Sequence, residues 1–352
     1  MPTRKRIDWP AVAEAFVAQI NHGDLHPAAM LRAFDEYRKE RRQGVAPSRW
    51  TLAFSGGADS LALLLVFWAE GPGRWERDFV VLHFNHRLRG QAADADEQFC
   101  REVCAALGVK FVAGQWRRGH PPRGKAPSEA DARAARLDFF GREMKKAKSR
   151  LLWLGHQQDD IAESMLMRLS RGSGAGGLAA PRPVQAMGEG RLHLRPMLSL
   201  KKKEIVAALK RAGATWREDG TNVAGDYFRN RIRARVLPAW IKAAGRDALA
   251  GAALSRELLE DDDAALEAWV DELQPLDRRG RLNLGVLKGK PRAVWRRALH
   301  RWLLATRPAT DLSRQGFNQL LTAVTKGRDT RFSLGAGGFA VVAGGHLAYR
   351  KP

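Results

Sequence analysis

Six consecutive residues, Ser55-Gly56-Gly57-Ala58-Asp59-Ser60, have the composition of a phosphate cradle. They lie between a strand-like run, Trp50 to Phe54, and a helical recurrence of Leu61, Leu64 and Leu65. A glycine turn in that position aims backbone N–H groups and the positive end of a helix dipole at an anion. The usual nucleotide loop, G-x-x-x-x-G-K-[ST], carries a lysine that reaches the terminal phosphates. This loop offers Asp59 and Ser60 instead. A cradle that carries a carboxylate where others carry an ammonium must handle its phosphates differently.

Other residue groups have chemistry in their spacing. Asp159, Asp160 and Glu163 open a helix, and Asp160 and Glu163, three apart, share a face. Such acids either complement the dipole and cap the N-terminus or hold a cation. His83 and His86 stand where a strand ends, with no carboxylate helper, so nucleotide-side or structural hydrogen bonding is favoured over a metal. Arg168 and Arg171 precede a glycine-rich stretch, 172 to 177, and read as a basic loop facing an RNA backbone or an activated base. Arg229, Arg231, Arg233 and Arg235, with Asn230, form an arginine-dense helix in which 229/233 and 231/235 stack on two faces. With almost no acid interleaved, phosphate contact is favoured over a solvated charge face. Cys100 and Cys104, the chain's two cysteines, lack further ligands nearby and read as core residues, a usage that fits a reducing cytosol.

The elements that must position these groups alternate. Trp50 to Phe54, "FVVLHFNH", "VKFVAG" and "LLWLG" read as strands, separated by helices over Leu61 onward, Asp94 to Leu107 and Ser128 to Lys148, the last opened by a Ser128/Asp131 capping box. A fifth helix begins near Asp159. This is the pattern of an α/β fold: a parallel twisted sheet with helices on both faces, whose ligands sit at the carboxyl ends of the strands. Residues 1–45 form a charged N-terminal helical extension, 46–240 the catalytic domain, and 241–352 a helical linker with a small α+β C-terminal domain, where "RFSLGAGGFAVVAGGHLAYRKP" alternates apolar residues with glycine turns.

The 55–60 stretch resembles the SGGxDS signature of the N-type ATP pyrophosphatases, the PP-loop family. The blocks "LHFNHRLRGQAADADEQF", "SEADARAARL", "LGHQQDDIAESMLMRLSRGSGAGGL" and "WREDGTNVAGDYFRNRIRARVLP" follow it in the order found in the tRNA(Ile)-lysidine synthase family. The resemblance implies a ligase that adenylates carbon 2 of the wobble cytidine of a CAU-anticodon tRNA(Ile) with ATP, then lets free L-lysine displace AMP. It implies ATP binding by Ser55, Gly56, Gly57, Ala58, Asp59, Ser60 and His83, with Asp59 on Mg2+ and catalytic. It implies that Asp160 and Glu163, catalytic as well, hold the lysine amine, since a carboxylate pair can hold an ammonium and ease loss of its proton. Arg133 joins the lysine pocket, and Arg136, Arg168, Arg171, Arg229, Asn230 and Arg233 contact tRNA, as does the C-terminal domain. The chain departs from the family pattern at Leu137, Gln157 and Lys202, where tyrosine, histidine and arginine are usual.

Charge agrees with a polyanionic partner. The 60 Lys and Arg against 38 Asp and Glu leave a net +22, an excess that nucleic acid would neutralise with counterion release, although solubility would use the same sign. Basic residues run along the whole chain rather than beside one amphipathic helix, and no 18-residue apolar run is present, which argues against a membrane and for the cytoplasm. A homodimer is compatible with the sequence. Two rivals remain: a tRNA cytidine 2-thiolating PP-loop enzyme, which would want paired C-x-x-C thiols, and a non-catalytic RNA-binding protein, which would leave Asp59 in its loop unexplained.

Overall fold

Strand burial on both faces sets the architecture of the N-terminal unit. In β1 (Trp50–Ala53), β2 (Phe79–Asn85) and β4 (Leu151–Trp153), alternate residues enter two different cores. Trp50, Leu52, Phe79, Val81, Leu151 and Trp153 face one; Val80, Leu82 and Leu152 face the other. Strands covered on both sides read as continuous apolar runs, the signature of a parallel sheet between helices. With β3 (Lys110–Gln115), β5 (Val184–Ala186) and β6 (Leu192–Leu194) they form a six-stranded sheet of order β3-β2-β1-β4-β6-β5, parallel except for β5 at the edge.

The computed structural model describes residues 7–20, 22–43, 49–70, 79–87, 90–116, 128–218, 228–306, 312–327, 329–335 and 338–351. Part of the block "WREDGTNVAGDYFRNRIRARVLP", residues 219–227, lies outside them. One core is roofed by the helices Trp9–Val17, Ala58–Glu70, Gln91–Ala106 and Lys202–Arg211. The other is covered by Glu129–Lys146, through Phe139, Phe140 and Met144. The capping box at its start is present, Ser128 and Asp131 each accepting the other's backbone N–H.

Two compact units are present, Met1–Glu257 and Leu258–Pro352. The division falls inside the long helix Ala248–Leu273, whose Leu249 and Ala252 pack with Ile161, Leu198 and Leu237 of the first unit. Trp9, Val12, Ala13 and Phe16 belong to the same apolar cluster as the helix Ala58–Glu70, so the helix Trp9–Val17 is built into that core. The second unit has its own core around Val270, Leu299, Trp302 and Leu320. Its four-stranded antiparallel sheet runs β7 (Leu282–Asn283), β10 (His346–Arg350), β9 (Phe339–Ala343), β8 (Thr330–Ser333). Arg297 and Arg301 pair there with Asp263, Glu267 and Asp271.

No helix among the described residues is long and apolar enough to cross a membrane.

Candidate active site

From β1 the chain passes to β2 and β3 on one side, then returns to β4 on the other. The carboxyl ends of β1 and β4 therefore flank a switch point, where open α/β sheets leave a crevice. Residues 55–60 follow β1 there, and His156 to Glu163 follow β4.

The loop holds itself in shape. Ser60 Oγ donates to the Gly57 carbonyl at 3.0 Å and accepts from the Ser55 N–H at 3.1 Å, with the Ser55 hydroxyl 3.0 Å away. Gly56 has φ +89, a region costly for side chains, and a Cβ there would lie 3.1 Å from Cys100 Sγ. The first helical bond, Leu61 N–H to the Gly57 carbonyl at 2.9 Å, leaves the N–H groups of Ala58, Asp59 and Ser60 ahead of the ladder, where an anion is met. His83, buried on β2, has Nδ1 2.8 Å from the Phe54 carbonyl, which can only accept, so Nδ1 donates. Burial holds its pKa below the ordinary value, so the ring is a neutral brace under the loop. Across the loop, Arg217 N–H donates to the Gly56 carbonyl at 2.9 Å while its Nε reaches Asp96 at 2.6 Å.

Gly155 makes the crevice tight. A Cβ at this position would lie 2.8 Å from the Asp59 carbonyl oxygen and 3.1 Å from Ser60 Cα, both backbone atoms that cannot step aside. Gly155→Ala is expected to destabilise the protein by about 1–3 kcal/mol, as overpacking does. Urea midpoints compare the two; an unshifted midpoint would show that the two loops separate freely.

Asp59 itself is half-buried. Loss of water raises its carboxyl pKa to about 6, against the pull of Lys202, whose ammonium stands 3.7 Å from Oδ2. Its other oxygen, Oδ1, is buried and accepts no hydrogen bond from a described residue. An orphaned carboxylate oxygen beside a phosphate cradle suits Mg2+, which is commonly held by one or two carboxylates together with substrate phosphates. No cluster of three or more His, Cys, Asp or Glu side chains able to hold a metal occurs among the described residues, and Asp59 is the carboxylate in this loop.

Asp160 and Glu163, on the helix Gln158–Leu169, are buried, and Asp160 both caps the helix and pairs with an arginine. Its Oδ2 caps the helix by accepting the Gln157 N–H at 2.9 Å; its Oδ1 pairs with Arg229. Gln157 takes part in the same cap, accepting the Asp159 N–H at 2.6 Å. Glu163 accepts from Arg229 Nε at 2.8 Å and from Arg233 Nε and Nη2 at 2.5 and 2.9 Å. Burial opposes the charge of both arginines, and the two carboxylates outweigh it, holding their pKa values above the ordinary one. Arg229 and Arg233, expected to face phosphate, thus turn inward onto the acids expected to face an ammonium. The segment that carries them is helical over Phe228–Arg231, continues as a π-turn, Ile232–Val236, and leaves Arg231 and Arg235 exposed on the opposite face. Asn230 is half-buried.

Behind the carboxylates lies a basic wall. Burial, followed by Arg195, Arg229, Arg136 and Arg133, pushes the His156 pKa well below the ordinary value, so the ring stays neutral. Arg195 is buried and donates to the Arg182 carbonyl and to Gln185, each at 2.8 Å. Burial and Arg133 lower its pKa to about 10. Arg168 donates to the Gly177 carbonyl at 2.8 Å, fixing the glycine-rich turn, and Arg171 is exposed beyond it. Arg133, exposed, and Arg136, half-buried, converge on this wall. Sequence reasoning had not singled out Gly155, His156, Arg195 or Arg217 as site residues; their signal was position immediately after a strand or within a recognised block.

The PP-loop domain family matches residues 29–240. The tRNA(Ile)-lysidine synthase of Geobacter sulfurreducens is 34% identical over 297 residues, covering 82% of this chain and 61% of that protein. The protein of the same name from Pseudomonas syringae pv. tomato is 33% identical over 292 residues, 80% of this chain and 62% of its own length. The chain thus spans less than two thirds of these relatives. Among solved structures, the U34-tRNA thiolase NcsA of Methanococcus maripaludis, with its [4Fe-4S] cluster, has a TM-score of 0.49 at 15% identity, over 64% of this chain and 78% of that one.

Proposed function

We propose that this chain, which belongs to the PP-loop domain family, ligates free L-lysine to carbon 2 of the wobble cytidine of a CAU-anticodon tRNA(Ile), by way of an adenylated tRNA. The observation that carries this reading is the meeting, at one switch point, of a glycine turn opening a helix and carrying Asp59 with a buried carboxylate pair, in a chain similar to lysidine synthases over four fifths of its length.

In the first half-reaction the carbonyl oxygen at carbon 2 attacks the α-phosphorus of ATP and pyrophosphate leaves. Residues 55–60 bind the departing β- and γ-phosphates as a unit, so the terminal phosphate needs no separate clamp. Asp59 would hold Mg2+, which would supply neutralisation of their charge there. In the second half-reaction the ε-ammonium of lysine gives a proton to the Asp160/Glu163 pair, the amine forms a bond to carbon 2, and the carbon 2–oxygen bond breaks so that AMP leaves with that oxygen. Asp160 and Glu163 receive the incoming ammonium, which shares the carboxylates with Arg229 and Arg233. Arg133, Arg136, Arg168 and Arg171 supply positive charge to the nucleotide side, with Arg133 also at the lysine pocket. Residues 46–240 carry the chemistry, and 241–352 supply the connector and a tRNA-contacting domain. Incubation of unmodified tRNA with ATP, Mg2+ and lysine, followed by mass analysis of its nucleosides, tests the whole reading. A digest that gains no lysine-sized adduct would overturn it.

The thiolating alternative needs sulfur-handling thiols. Both cysteines are fully buried in the core, and burial raises the Cys104 thiol to about 12 and Cys100 higher still, so neither is a nucleophile. Cys100→Ala with Cys104→Ala should keep product formation within a few-fold of the parent while lowering stability through lost packing. A folded double variant without product would revive the thiolation reading.

A further inference from the structure

The antiparallel sheet of the second unit buries one of its two faces. Phe332, Ala340, Val342 and Leu347 pack in the apolar core around Trp302, and the alternation of a strand sends their neighbours to the opposite side. Register sets those neighbours in two rows: Ser333, Phe339 and Arg350 across β8, β9 and β10, and beside them Arg331, Val341 and Ala348. None of the six belongs to an apolar cluster of the described residues. Phe339 and Val341 are half-buried, whereas Arg331, Ser333 and Arg350 are exposed. The Arg331 guanidinium carbon lies 3.6 Å from the centre of the Phe339 ring, the separation of stacked planes, which leaves the other plane of the guanidinium toward solvent.

An aromatic ring topped by a flat cation is a surface on which an unpaired nucleobase stacks, since every base has a π face and guanidinium planes serve as rings do. Charge points the same way. Residues 274–352, beyond the helix Ala248–Leu273, hold 16 Lys and Arg against three Asp and Glu. Neither Arg331 nor Arg350 has a carboxylate partner among the described residues. Two copies laid face to face would set arginine against arginine, which like charge opposes, so a polyanion fits this face better than a second copy. We propose that the open face of β8, β9 and β10 is a stacking platform for an unpaired nucleotide of RNA: the base lies on the Arg331–Phe339 stack and Arg350 takes an adjacent phosphate. Loops and free ends of an RNA offer such bases, and a duplex hides them. This rests on the RNA-modifying reading of the chain, and it adds a surface and a mode of contact to it.

Fluorescence titration of the full chain with labelled single-stranded oligouridine, and with a blunt RNA duplex of equal length, tests the assignment without turnover. Phe339→Leu keeps an apolar side chain and removes the ring. It should weaken single-strand binding roughly five- to a hundredfold, the range for one lost base stack, with the salt dependence and duplex binding unchanged, and Phe339→Trp should stay near the parent. Arg331→Lys keeps the charge and loses the plane, so it too should weaken single-strand binding. Arg350→Ala should instead flatten the salt dependence by about 0.7 unit, the value for one phosphate contact on a single strand. A folded Phe339→Leu that binds the single strand as the parent does, or that loses duplex and single strand equally, overturns the proposal. So does a dimer of the parent that dissociates on Phe339→Leu, which would give the face to a second copy. Photocrosslinking of the unmutated protein to oligonucleotide carrying thiouridine, read by peptide mass, gives a second test that no folding defect can spoil. Adducts should fall within residues 330–350, and their absence there also overturns the platform. The outcome is separable from the lysidine reading. A parent protein that makes no lysidine, yet loses single-strand affinity on Phe339→Leu, would sink the reaction and keep the face.

Discussion

On the proposed reaction, Asp59→Asn is expected to lower AMP transfer to RNA by roughly a hundred- to a thousandfold, the scale seen when one preorganised electrostatic group is removed from an active site. The same change makes the ligand-free protein more stable above pH 7. Both effects follow from one geometry. The carboxylate is half-buried beside the loop with Oδ1 buried and without a hydrogen bond from a described residue, a costly arrangement on its own and a useful one for holding Mg2+. Its folded pKa, about 6, lies above the 3.8 of an ordinary aspartate. A raised acid favours the protonated fold, so its contribution is fully present below pH 4 and is lost as pH rises through 6. Above pH 7 the ionised group costs on the order of 2–3 kcal/mol, which an asparagine avoids. Urea melts at pH 4 and pH 8 should show the variant's advantage only at the higher pH. Equal differences at both values would mean that Asp59 does not titrate in the fold as argued. Full RNA adenylation by Asp59→Asn would take the metal-side role from this residue.

The local part of this site could be read from the sequence because strand, glycine turn and helix are contiguous there, and each residue type has a steric or hydrogen-bonding reason in its own neighbourhood. The same holds for β1 to β4, whose two-sided burial leaves apolar runs, and for the Ser128/Asp131 cap. Strands β5 and β6, three residues each, leave too short a pattern to be seen beside their polar flanks. Partnerships across long separations were equally hidden. Arg229 and Arg233 reach carboxylates 66 and 70 residues away, and nothing in "FRNRIRARV" says which arginine face turns inward. Their i, i+4 spacing shows that they share a face; the buried position of Glu163 decides that this face meets acid rather than phosphate. Lys202 stands out only as a position where arginine is usual; nothing in "KKKEI" says that it, rather than Lys201 or Lys203, lies beside Asp59.

Glu163→Gln should cost about 3 kcal/mol of stability and raise the lysine requirement, without stopping RNA adenylation. Glu163 is 1% exposed and accepts three hydrogen bonds from two guanidinium groups, while Asp160 shares Arg229. Two acids and two arginines balance. A glutamine keeps the shape and removes one charge, which leaves a partly buried arginine uncompensated, and broken buried pairs cost about 3–5 kcal/mol. The two arginine side chains are 29% and 31% exposed, so water softens the loss toward the lower end. Adding Arg233→Met removes the surplus cation. The double variant should therefore recover about 1 kcal/mol or more relative to the sum of the single losses, within the range for directly coupled residues. For catalysis, an ammonium that loses one charge-assisted partner binds roughly ten- to a hundredfold more weakly, so AMP-linked RNA should accumulate at lysine concentrations that discharge it in the parent. Radiolabelled ATP, with and without lysine, reads this directly. Additive stability losses would dissolve the quartet as an energetic unit. Loss of RNA-linked AMP as complete as in Asp59→Asn would move the carboxylate pair from the amine to the nucleotide.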